Sequence, residues 1–175
     1  VSIWQTIFEV IDMRSFSNLW YWIALAVLWS TASHFVLGVP FDLAQKALKH
    51  GGERMQDLED LVRINVNRLG NIAEISGLVI VAMASGGLTI LFALGVFYDV
   101  EFAQAVFLMA FPMTIVFFLN IRTAKRILVN APRGEALVDV LRRHRLKTQM
   151  IGMLFIFITA MWGMYQNIVT GPLGG

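Results

Sequence analysis

Polar and apolar positions divide this chain into four long uncharged blocks separated by charged ones. Leu19 to Gly38 (20 residues), Ile75 to Tyr98 (24), Phe102 to Ile121 (20) and Thr148 to Val169 (22) hold no Lys, Arg, Asp or Glu. Each reaches the roughly 20 residues that a hydrocarbon core about 30 Å thick demands of a helix rising about 1.5 Å per residue. The pattern predicts an all-α integral membrane protein with four transmembrane helices and short amphipathic helices in the interface and the cytoplasm. The second and third spans are joined only by Asp99, Val100 and Glu101, so they form an antiparallel hairpin with an acidic tip.

The intervening segments also read as helical. Ile3, Trp4, Ile7, Phe8 and Ile11 recur at helical spacing opposite Gln5, Thr6, Glu9 and Asp12, which predicts an interfacial helix over residues 1–13 on the outer side. Within 40–71, Phe41 to His50 reads as a helix starting after Pro40 and closed by Gly51 and Gly52, and from Glu53 the pattern runs on without a break into span two. Within 122–147, a turn at Asn130 to Gly134 precedes a basic amphipathic helix from Glu135 to Leu146. The whole of 1–175 reads as one membrane domain. Arg14, the apolar run from Leu19 and the small residues Ser30 to Ser33 imitate a signal peptide. The leading segment is acidic and amphipathic instead of basic, so it is expected to be retained.

Charge gives the direction. Thirteen of the fourteen Lys and Arg residues lie in Pro40 to Asn71 and Arg122 to Lys147, which puts those segments on the cytoplasmic side and both termini outside. Trp20, Tyr21, Trp22, Phe97, Tyr98, Trp162 and Tyr165 fall at the outer ends of their spans, where an aromatic belt belongs. Apolar residues make up 57% of the chain and charged ones 15%, a surface suited to lipid rather than water. The net charge of +2, with the bases beside spans, argues against nucleic acid as a partner. Without cysteine there is no disulfide, thiolate metal site, iron–sulfur ligation or thiol nucleophile.

Candidate chemistry is sparse. Glu74 opens a span and shares a helix face with Asn67 and Asn71, so a polar stripe enters the membrane edge. It reads either as an ion or proton site or as a headgroup-level carboxylate paired with Arg68, Arg122 or Lys147. His34 is the one histidine inside a span; a haem would need a second axial ligand, and neither His50 nor His144 lies in a span, so His34 reads as a packing residue. Pro112 interrupts span three and frees the Leu108 carbonyl. Gly70, Gly77 and Ala84 on span two, and Gly152 and Gly163 on span four, form small-residue faces for helix contact. No G-x-S-x-G, H-E-x-x-H or phosphate-binding glycine loop occurs in the sequence. The expectation is therefore no enzyme, no metal, no cofactor and no identifiable small-molecule substrate.

The stretches Ile11 to Trp22, Trp29 to His34, Arg63 to Arg68 and Trp162 to Asn167 resemble a family of small four-span membrane proteins of alphaproteobacteria. The resemblance implies a bacterial inner-membrane location. Some members are labelled as components of iron–sulfur cluster assembly, although this cysteine-free chain offers a cluster no thiolate. The expected function is a non-enzymatic accessory or assembly subunit of a larger inner-membrane complex, of the energy-transducing kind, with lipids and other integral membrane subunits as partners. The alternative is a small oligomeric transporter or channel using Glu74 and His34.

Overall fold

The computed structural model describes residues 2–5, 16 and 19–170. Residues 3–5 are helical and Ser2 is not; residues 1 and 6–13 of the expected interfacial helix over 1–13 lie outside the described residues. In order, the chain forms α1 (Leu19–His34), β1 (Phe35–Val36), β2 (Val39–Pro40), α2 (Phe41–His50), α3 (Gly52–Val96), α4 (Glu101–Asn130) and α5 (Glu135–Thr170). The protein is mostly helical, and α3, α4 and α5 are long and apolar enough to cross a membrane.

The first apolar block differs from its expected form. Its helix stops at His34 after 16 residues, about 24 Å, and the rest turns back as an antiparallel pair with Phe35 opposite Pro40 and Val36 opposite Val39. The two tip residues, Leu37 (φ 54°) and Gly38 (φ 78°), are both left-handed, as a tight two-residue hairpin turn requires. Leucine resists that conformation, but its side chain is only 3% exposed, so burial holds it there.

The other boundaries follow their local signals. The Gly51 N–H reaches back to the Ala47 carbonyl at 2.8 Å with Gly51 at φ 62°, closing α2, and α3 then runs 45 residues without interruption, about 67 Å. α4 continues through Pro112 and past the expected span end at Ile121 to Asn130. The turn into α5 places Ala131 and Gly134 in the left-handed region.

The chain separates into two compact units. One comprises Trp29–Val81 and Ile115–Ile151. Its core draws Phe41, Ala44 and Ala47 from one face of α2, Leu58, Val62 and Val66 from every fourth position of α3, and Leu137, Val138 and Leu141 from α5. These come mostly from the charged, water-compatible segments, where burying a Leu or Val side chain contributes about 1.5–3 kcal/mol. The other unit comprises Val1–Leu28, Ala82–Thr114 and Gly152–Gly175 and is held by close helix approach and polar contacts, the forces available in lipid. Gln104 donates to the Gly95 carbonyl at 2.8 Å and accepts from the Trp162 indole at 3.0 Å. Gly95 is required there, since a Cβ would stand 2.9 Å from Gln104 Cγ. Buried Phe16 donates its N–H to Glu101 at 3.0 Å, and its carbonyl accepts from Trp22 at 2.9 Å.

Candidate functional site

The residues singled out from sequence are on the surface. Asn67, Asn71 and Glu74 are exposed along α3, and His34 is exposed at the end of α1. The His34 ring meets Phe35 edge-on, centroids 4.9 Å apart; neither it nor Glu74 has a hydrogen bond or ion pair to a described residue. Among the described residues no group of three potential metal ligands gathers. The small-residue faces divide. Gly70 packs on Leu128, Gly163 packs on Trp22 and Phe16, and Gly77 has nothing within 4 Å of where a Cβ would stand. Ala84 is half-buried and Gly152 buried.

The concentrated polar chemistry lies instead between α4 and α5. Residues Leu137, Leu141, His144 and Thr148 fall on one face of α5 at helical spacing, so the face that carries the apolar core also carries the histidine inward. His144 is 3% exposed, with Nε2 2.6 Å from Asn120 Oδ1 and Nδ1 2.9 Å from Thr123 Oγ1. A carboxamide oxygen can only accept, so Nε2 carries the proton and Nδ1 accepts from the threonine hydroxyl. Thr148 donates back to the His144 carbonyl at 3.1 Å. Burial first, and then the positive charge of Lys147, lower the imidazole from 6.5 to about 4; the ring is neutral near pH 7. With both nitrogens engaged, it orients Asn120.

The next residue, Arg145, ties α5 to two other elements. Its Nε donates to the Ser33 carbonyl at 2.9 Å, one of the terminal carbonyls of α1 that has no partner within the helix. A cation at a helix C-terminus is also favoured by the helix dipole. The guanidinium lies 4.6 Å from the centre of the Phe41 ring, within cation–π range.

Two cavities open in this unit. One, of about 230 Å³, is lined by residues including Glu59, Asp60, Arg63 and Arg133; Glu59 there accepts the Gly134 N–H at 3.0 Å and fixes the turn into α5. The second, of about 210 Å³, lies under the hairpin tip and is lined in part by Asn65, Arg68 and Asn120. Sequence reasoning passed over Asn120, Thr123 and His144 because each lies in a stretch that reads as span end or basic helix. The available signal was their shared register with the apolar faces of α4 and α5.

The three helices long and apolar enough to cross a membrane suggest a helical multi-pass membrane protein. Comparison with protein-family models, curated proteins and solved structures finds no match to this chain; function is therefore argued from its residues.

Proposed function

We propose that this chain is a non-enzymatic accessory or assembly subunit of a larger bacterial inner-membrane complex. In this reading it has four spans, with 40–71 and 122–147 in the cytoplasm and both termini outside. The observation that carries the reading is α3. Of its most apolar 18-residue stretch, 6% is buried within the chain, against 22% for the corresponding stretches of α4 and α5. Gly86 and Gly87 on this stretch, and Gly77 just before it, all face open space. Glycine costs helix stability and gains little against a lipid chain, but it lets another helix approach closely. A partner helix from another integral membrane subunit supplies what the chain itself does not.

The charge bias and the exposed aromatic residues Trp20, Phe97, Tyr98 and Tyr165 support the orientation. The 16-residue α1 is short for a span, and its exposed Leu19, Trp20, Ile23 and Val27 support placing it in lipid.

Tagged protein extracted from its own membranes in mild detergent should bring a companion integral membrane protein with it. Gly77→Leu should lose the companion without lowering the thermal unfolding midpoint of the isolated chain, because nothing within the chain is displaced and leucine favours the helix. A wild-type protein that elutes alone as a monomer would refute the proposal. The second reading, an oligomeric transporter, is favoured by the exposed stripe Asn67, Asn71 and Glu74, a costly arrangement beside an apolar span unless it faces water or a partner. The same purification distinguishes it, since a transporter of that kind is recovered as a homo-oligomer without other subunits.

A further inference from the structure

We propose that the cavity beneath the hairpin tip binds a phosphate group, carried by an anionic phospholipid headgroup or by a free phosphate ion. Its volume is about 210 Å³, and its lining combines one cation, Arg68, with two carboxamides, Asn65 and Asn120, and no carboxylate. Arg68 is exposed and makes no hydrogen bond or ion pair with a described residue, so its guanidinium fork is free to bind phosphate oxygens in the paired geometry that suits it.

The carboxamides are set up as donors. Asn120 has its oxygen taken by the proton on His144 Nε2 at 2.6 Å, which leaves the amide NH2 as the group that can serve the cavity. The Asn65 amide nitrogen stands 3.3 Å from where a Cβ on Gly38 would be. Only glycine at the hairpin tip leaves that amide uncovered, and the positive φ of 78° at Gly38 demands glycine independently. Leu69 and Ile72 complete the lining on the side toward the uncharged run of α3. The cavity thus brings donors and charge together with apolar atoms, the combination that a lipid headgroup and its glycerol backbone need. This inference does not depend on α3 having a partner.

The test is thermal unfolding of the full chain in a maltoside detergent at constant ionic strength, with dihexanoyl-phosphatidylglycerol, inorganic phosphate or dihexanoylglycerol added. Phosphatidylglycerol should raise the midpoint in proportion to the logarithm of its concentration, by about 5–10 °C at a hundredfold excess over its dissociation constant, and dihexanoylglycerol, which lacks phosphate, should not. A shift with the phospholipid and none with inorganic phosphate assigns the site to lipid; an equal shift with inorganic phosphate assigns it to the free ion. Arg68→Gln should abolish the shift with little change in the ligand-free midpoint. Asn65→Leu, which replaces the amide with apolar atoms, should lose most of it as well. No shift with either phosphate source, an equal shift with dihexanoylglycerol, or an undiminished shift in Arg68→Gln overturns the proposal.

Discussion

His144 makes the pH response of this fold predictable. The folded ring titrates near 4 and the unfolded one near 6.5, so between those values the unfolded chain binds a proton that the native chain refuses. Stability from this group is therefore complete above about pH 6.5 and falls as pH drops toward 4, by up to about 3 kcal/mol. Unfolding by denaturant in detergent at pH 7, 5 and 4 should show that decline. In His144→Leu the pH-dependent part should vanish, and stability at pH 7 should drop by about 1–3 kcal/mol, because Asn120 and Thr123 lose their partner. An unchanged slope in the variant would place the titration elsewhere. None of this was evident from residue type alone, since a histidine between Arg143 and Arg145 reads as part of a solvated basic face. Its register with Leu137 and Leu141 turns it inward, while both flanking arginines stay on the sides of the helix.

At the scale of elements, the signals that proved sufficient were stereochemical. Pro40, Gly51 and Gly52 bound α2 because proline and glycine restrict or release the backbone directly, and α3 is long because nothing in Glu53 to Gly95 forces a break. The end of α1 was not legible in hydropathy. Phe35, Val36, Leu37 and Val39 are apolar whether they continue a helix or fold into a hairpin, and periodicity cannot separate the two over so short a run. The sequence Leu37-Gly38-Val39-Pro40 held the information, with glycine for the turn and a proline that cannot extend the preceding helix. Gly38→Ala should accordingly cost about 1–2 kcal/mol, through both the left-handed backbone and the approach to Asn65. Hydrogen exchange should show the loss concentrated at residues 35–40.

For the molecule as a whole, the segregation of residue types coincides with the division into units. The thirteen bases outside Arg14 all belong to the unit of Trp29–Val81 and Ile115–Ile151, and the outer-end aromatics all belong to the other. Hydropathy and charge made that legible, because insertion into a bilayer acts on those two properties. The candidate sites were less so: an exposed Glu74 and a buried His144 exchange the depths that their chain positions suggest, and depth is a tertiary property. Since the chain has no cysteine, orientation is open to single-cysteine labelling. A membrane-impermeant maleimide applied to intact spheroplasts should modify Asp99→Cys and should reach Arg133→Cys only after permeabilisation. The opposite pattern would invert the proposed topology.

The bond from Arg145 to Ser33 also sets an order of events in time. The two residues are 112 positions apart, and at about 5–20 residues per second of synthesis the arginine is made roughly 6–22 s after the carbonyl it caps. Throughout that interval the end of α1 must be held by what lies beside it in the chain. The hairpin of Phe35 to Pro40, closed within six residues, is complete as soon as it is synthesised. A local turn thus keeps the first helix from running on until the last helix arrives to lock it.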